Sequence, residues 1–300
     1  MNPIIPAGPP RVDPLSSLYK FHTTVDVLRL DLIHPVISGN KWYKLRYSLE
    51  EALQQEKKAV VTFGGAYSNH IVATAAACRE AGLKSIGIIR GERSLNFSQT
   101  LQNAEAFGMQ LFFISREAYR EKALPDALLT HFPETALYTI SEGGYGHNGA
   151  RGAAEILSDD RFSDYTHFLA ATGTGTTLAG LATGCRPGQQ AIGISVLKGA
   201  LSLNDEIIKL TGTEKKENFS LLHDYHFGGY ARKNAELTAF MNEWFRQTGI
   251  PSDFVYTAKL FFAVQDLLQK DFFPQGSRLL VIHSGGLQGN RSLEKGTLIF

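Results

Sequence analysis

Cysteine is scarce in this chain: Cys78 and Cys185 are the only two in 300 residues, too few for a disulfide framework. Both stand beside small apolar residues, where a thiol reads as a small buried side chain. An excess of charge of one sign is missing as well. With 30 Lys and Arg against 29 Asp and Glu, the formal net charge is +1. That balance offers no electrostatic footprint for nucleic acid or for an anionic membrane. No apolar run approaches the roughly eighteen residues that a membrane span needs. The opening stretch carries prolines where a signal peptide would carry an apolar core. The expectation is a soluble, cytoplasmic protein without nucleic-acid or membrane partners. Its length fits two α/β domains or one large one.

What is present is alternation. Val25 to Leu32 reads as a strand, followed by helical spacing from Lys44 to Glu56, where Leu45, Leu49 and Leu53 recur every fourth residue. Ala59 to Phe63, Ser85 to Arg90 and Met109 to Ile114 read as strands, separated by helical stretches at Ile71 to Ala81 and Leu101 to Phe107. Tyr165 to Ala171, Gln190 to Val196 and Arg278 to His283 follow the same scheme. Strands alternating with helices predict doubly wound, parallel sheets of the α/β class. The weak seams are expected near Lys44 and at the glycine-crowded stretch Glu142 to Gly152.

Ligands of open α/β sheets bind beyond the carboxyl ends of strands, and three glycine-rich turns fall there. Gly64-Gly65-Ala66-Tyr67-Ser68-Asn69-His70 ends a strand and opens a helix. Its glycines admit a flat ligand close to the backbone, although Ser68 and Asn69 also suit helix N-caps. The Gly-x-Ser-x-Gly elbow of a serine hydrolase is absent. Thr172-Gly173-Thr174-Gly175-Thr176-Thr177 makes a cup of backbone donors at a helix start, which suits a phosphate dianion. A dinucleotide fingerprint would need glycine where Leu178 stands and an acid about twenty residues on. Neither is present, and no lysine marks a nucleoside-triphosphate loop. The third turn is His283-Ser284-Gly285-Gly286.

Ser38-Gly39-Asn40-Lys41-x-x-Lys44-Leu45, Gly64-Gly65-x-x-Ser68-Asn69-His70, Thr174-Gly175-Thr176-Thr177-x-Ala179-Gly180, Val255-Tyr256-Thr257-x-Lys259 and His283-Ser284-Gly285-Gly286 occur in this order. Together they resemble the aminocyclopropane-carboxylate deaminase and D-cysteine desulfhydrase group of fold-type II pyridoxal-phosphate enzymes. The resemblance runs from about Leu28 onward. It implies a tryptophan synthase beta-like fold, with a large cofactor domain (1–43 and 150–300) and a small inserted domain (44–149). It also implies a homodimer, pyridoxal 5′-phosphate as cofactor and a small amino acid as substrate. Lys41 resembles the lysine that forms the Schiff base, Asn69 the partner of the cofactor's phenolic oxygen, and Ser68 the serine beside the substrate carboxylate. The Thr174, Gly175, Thr176 and Thr177 backbone resembles the phosphate holder. Tyr256, and Tyr230 in Phe227-Gly228-Gly229-Tyr230, resemble the tyrosines that flank the substrate. Two departures stand out. The stretch before Lys41 lacks the family's longer arginine-and-acid run, echoed only by Arg29 and Asp31. After Gly286 the family's Ala/Val-Pro-Ala-Leu is replaced by Leu287-Gln288-Gly289-Asn290.

The chemistry asks for these residue types. An imine-forming lysine must spend time neutral, which burial favours. Lys44, one helical turn on, is expected to be a solvated surface lysine. The group facing the pyridine nitrogen tunes the cofactor as an electron sink. The resemblance gives deaminases Tyr-Glu at the first such position and a leucine before the later Gly-Gly pair. Desulfhydrases carry hydroxyl residues at both. Here the residues are Thr257 and Ser284, which favours β-elimination, with D-cysteine as substrate and pyruvate, ammonia and hydrogen sulfide as products. Opening the ring of 1-aminocyclopropane-1-carboxylate is the alternative, as is another small amino acid. The base for the α-proton stays open among Lys41, Ser68 and a tyrosinate. A ligand-binding protein would not need Lys41, and a dehydrogenase is weakened by Leu178. The His223-x-x-His226 spacing lacks a third ligand, so no metal is expected. His70 and His147 are left without a role.

Overall fold

Apolar residues that would crowd one face of an isolated strand are shared here between two faces, and two parallel sheets result. The computed structural model describes residues 8–15, 23–93, 97–212 and 217–300; the first prolines of the chain lie outside them. The smaller sheet holds β3 (Ala59–Gly64), β4 (Lys84–Arg90), β5 (Met109–Ile114) and β6 (Leu137–Ile140), in the order β5-β4-β3-β6 and parallel throughout. The larger sheet holds β1 (Arg11–Pro14), β2 (Thr24–Arg29), β7 (His167–Thr172), β8 (Gln190–Ser195), β9 (Phe219–Leu222) and β10 (Arg278–His283). Its order is β1-β2-β10-β7-β8-β9, and only the β1–β2 pair is antiparallel.

Leu28, Phe168, Ala170, Leu280 and Ile282 of the larger sheet face one core cluster, while Val27, Leu169, Ala171, Leu279 and Val281 face another. Both faces are covered, as parallel sheets require. The first face is covered by α1 (Asn40–Gln54), α6 (His147–Ala154) and α7 (Thr176–Gly184). The second is covered by α9 (Ala235–Thr248) and α10 (Thr257–Gln269). The first cluster also takes in Val60 of β3 and Ala73, Ala76 and Ala77 of α2 (Asn69–Ala81), so one core connects the two sheets. The other α-helices among the described residues are α3 (Gln99–Ala106), α4 (Arg116–Arg120), α5 (Asp126–Leu129) and α8 (Leu203–Thr211). Among the described residues no helix is long and apolar enough to cross a membrane.

Several elements depart from the sequence reading. The strand expected over Val25 to Leu32 stops at Arg29 and turns through a 3-10 segment at Leu30–Leu32. The helix expected from Lys44 begins at Asn40 and runs unbroken through Lys44. The second expected seam is a close-packed helix contact. A Cβ on Gly152 of α6 would lie 1.9 Å from the Tyr43 carbonyl oxygen of α1, so only glycine lets these backbones meet.

Candidate active site

The first turn of α1 fixes the site. Its N-cap, Gly39, has φ +68, and a Cβ there would fall 1.8 Å from the Ser284 carbonyl oxygen. The turn after β10 therefore lies directly against the start of α1, and the Asn40 N–H donates to Ser284 O at 3.4 Å. From the other side the Asn40 side chain donates to Thr177 Oγ1 at 2.8 Å. Ser38, Asn40, Lys41, residues 172–175, Thr177, Leu178 and residues 284–286 thus line one cleft of about 760 Å³, closed from the smaller sheet by residues 65–70, Arg90, Glu142 and Gly143. That volume lies within the range of ligand sites.

Lys41, Ser68, Asn69, Thr174, Gly175, Thr177, Tyr230, Tyr256 and Ser284 all line the cleft. Thr176 and Thr257 lie behind the lining, both fully buried. Thr176 keeps its hydroxyl 3.1 Å from that of Thr174. The Thr257 hydroxyl donates to Asp253 Oδ1 at 2.8 Å and accepts from the Asp253 N–H at 2.8 Å. The same carboxylate accepts from the N–H groups of Val255, Tyr256 and Thr257. Thr257 and Asp253 form the cap of α10, and the hydroxyl proton is committed there.

Lys44 corrects the sequence reading. It is 3% exposed, not solvated, because α6 and the Gly143-Gly144 turn cover that face of α1. Lys41 Nζ and Lys44 Nζ both reach the Gly143 carbonyl oxygen, at 3.4 and 3.3 Å. Burial lowers Lys41 to about 8. Burial, reinforced by the charge of Lys41, holds Lys44 well below the ordinary lysine value. Of the two, Lys41 keeps more contact with the open cleft.

His70, given no role from sequence, is 2% exposed beside them. Thr62 Oγ1 donates to the Ile140 carbonyl at 2.8 Å, so at its 2.7 Å contact with His70 Nε2 it must accept. The imidazole therefore carries its proton on Nε2, and Nδ1 is a buried acceptor without a partner. Burial and then the two lysine charges hold its pKa well below the usual range. His283 is likewise neutral: Nε2 bonds the Pro251 carbonyl at 2.7 Å while Nδ1 accepts from the Gly285 N–H at 3.2 Å. Its 3.4 Å approach to Asp31 is therefore no ion pair. Asp31 pairs instead with the buried Arg29, at 2.7 Å. His147 does not line the cleft. Among the described residues no cluster of His, Cys, Asp or Glu is arranged to hold a metal.

Arg90 and Glu142 escaped the sequence reading. Arg90 ends β4 at its carboxyl end, where the rule for open sheets directs attention. Glu142 follows β6, a strand of four residues too short to leave a clear pattern.

A neutralisable lysine, a helix start free of any side-chain cap at Gly175, and a cleft between two parallel sheets define a site for a phosphorylated carbonyl cofactor. Over residues 11–285 the chain matches the family of pyridoxal-phosphate dependent enzymes, and it belongs to that family. It is similar to a putative 1-aminocyclopropane-1-carboxylate deaminase of Thermotoga maritima, 30% identical over 294 residues and spanning 92% of both chains. It is also similar to the D-cysteine desulfhydrase of Yersinia enterocolitica, 27% identical over 290 residues, spanning 87% of this chain and 86% of the relative. Among solved structures, an ACC deaminase homologue superposes with a TM-score of 0.78 at 25% identity, covering 94% of this chain and 91% of that one. The architecture is that of fold-type II pyridoxal-phosphate enzymes, and the chain is an enzyme dependent on that cofactor.

The residues present fit the group. The uncapped first turn of α7 and the hydroxyls of Thr174 and Thr177 suit its phosphate, and the Lys41 amine suits its aldehyde. Asn69 Oδ1 is buried without a partner, so this amide has bonding capacity left for a ligand.

Proposed function

We propose that this enzyme catalyses β-elimination from a small amino acid carrying a β-leaving group, D-cysteine first, releasing pyruvate, ammonia and hydrogen sulfide. Bound pyridoxal phosphate supplies the electron sink that stabilises negative charge at the substrate Cα. The observation that carries the reading is that, among the described residues, no acid lines the β10 side of the cleft. Ser284 offers a hydroxyl there, and the nearby carboxylate, Asp253, is fully buried and taken up by the α10 cap. Among the lining residues the one acid is Glu142, on the smaller sheet, where it pairs with Lys122 at 2.9 Å. A ring nitrogen facing a hydroxyl is left largely unprotonated, and the weaker sink suffices when a good thiolate leaving group departs. Opening a cyclopropane ring lacks that leaving group and depends more on an acid.

In this reading Lys41 would bind the cofactor's carbonyl carbon, Asn69 would hold its phenolic oxygen, and Ser284 would offer its hydroxyl to the ring nitrogen. Ser68 orients the substrate carboxylate, with the paired rings of Tyr230 and Tyr256 over the side chain. Burial raises both phenols, Tyr256 most strongly, so neither supplies a tyrosinate near neutral pH. Lys41, lowered to about 8, is the group best matched to move a proton at Cα. We read the chain as two domains, 1–43 with 150–300 and an inserted 44–149, working as a cytoplasmic homodimer. The confinement of β3 to β6 to residues 59–140 supports that division.

Purified holoenzyme, assayed for pyruvate or 2-oxobutyrate release from D-cysteine, L-cysteine, D-serine and 1-aminocyclopropane-1-carboxylate, tests the proposal. Sulfide and pyruvate from D-cysteine are expected. Turnover of the cyclic amino acid alone overturns it.

A further inference from the structure

The chain from Phe227 to Arg232 is held in an unfavourable shape. Phe227, Gly228, Gly229 and Ala231 have φ of +49, +89, +116 and +52, and two of the four are not glycine. Left-handed backbone costs free energy at such positions and persists only where the surroundings impose it. This turn presents Tyr230, half exposed over the cleft, with its ring 6.0 Å from that of Tyr256 in edge contact.

What imposes the shape comes from α10. Lys259 is fully buried, and its ammonium donates to the Gly229 carbonyl oxygen at 2.7 Å. That oxygen also accepts from the Arg232 N–H at 3.1 Å. One turn further along α10, the Phe262 ring packs edge-on against Phe227 at 4.9 Å. A buried lysine is expensive to place, and a methionine would fill the same space without the cost. We propose that Lys259 is a positioning residue: it clamps the Gly229 carbonyl and thereby sets Tyr230 against Tyr256 over the substrate. Lys259 itself does not line the cleft. Asp253 lies near enough to favour its charge, although burial outweighs that attraction and brings the lysine down to about 8. The functional part of the inference rests on the reading of Tyr230 as a substrate-flanking residue.

The test compares Lys259→Met, Lys259→Arg and Tyr230→Ala as holoenzymes, with the double variant Lys259→Met/Tyr230→Ala. Amide hydrogen exchange at residues 227–232 is expected to accelerate about tenfold or more in Lys259→Met, with protection elsewhere and the cofactor absorbance retained. For the substrate that turns over best, KM should rise about tenfold while kcat changes less. Lys259→Arg should recover part of this. In the Tyr230→Ala background, Lys259→Met should add nothing further to KM, since residues acting as one unit are non-additive. Unchanged exchange at 227–232 overturns the clamp. So do independent, multiplying effects in the double variant. If Tyr230→Ala alone leaves KM unchanged, the role given to Tyr230 fails, and the exchange data then decide the clamp by themselves. Should Lys259→Met not fold, Lys259→Arg and Lys259→Gln carry the same comparison.

Discussion

At the scale of single residues, the site is decided by how deep two lysines lie. Lys41 and Lys44 are three apart in sequence and meet at one carbonyl oxygen. Only a neutral amine attacks an aldehyde, so the lowered Lys41 sets a pH dependence. Below about 8 the amine is protonated and inert; above it, the free amine is plentiful. The rate at which apo-protein takes up pyridoxal phosphate and turns yellow should therefore climb through about pH 8 and then level off. A rate still rising towards 10.5, the ordinary lysine value, would mean that Lys41 is solvated. Lys41→Ala should give no yellow, borohydride-reducible protein at any pH. Spacing pointed to Lys41 through its motif, but spacing carries no information on depth, and so Lys44 read as a surface residue. The reading of Thr257 stopped short for a related reason. A motif shows which residue stands at a position but not where its hydroxyl proton goes, and here Asp253, four residues earlier, takes it.

At the scale of elements, the strands were legible where apolar residues run long. Ala59 to Phe63, Met109 to Ile114 and Arg278 to His283 lie in the structure within a residue of their expected bounds. Short edge strands such as β6 and β9, of four residues each, bury too little to leave a pattern. The start of α1 was placed four residues late because it is set by a distant segment, the Ser284-Gly285 backbone, against which Gly39 packs. Gly82, the C-cap of α2, offers a comparison: its φ is +72, close to the +68 of Gly39, but a Cβ there would meet nothing within 4 Å. Gly82→Ala should cost about 1–2 kcal/mol from backbone strain alone. Gly39→Ala should cost clearly more, about 3 kcal/mol or above, and should weaken cofactor retention. Thermal unfolding and cofactor titration of the two variants check this; equal losses would mean that the close approach is unimportant.

At the scale of the whole molecule, the cleft takes its walls from both sheets, so a ligand bound there adds contacts that the unfolded chain lacks. At a hundredfold excess over its dissociation constant such a ligand stabilises by about 2.7 kcal/mol. Removing pyridoxal phosphate should then lower the melting temperature by roughly 4–5 °C, reversibly on re-addition. Scanning calorimetry of the apo and holo forms measures it, and identical melting would deny the cofactor a place between the sheets. The pairing of β2 with β10 has a consequence in time. The smaller sheet is drawn from consecutive chain, but β2, just before Lys41, has its parallel partner at Arg278–His283. On a ribosome adding about 5–20 residues per second, Lys41 emerges on the order of ten to fifty seconds before the strand that completes its surroundings. A nascent chain therefore has its cofactor lysine long before it has a cofactor site, and loading must wait until β10 has been made.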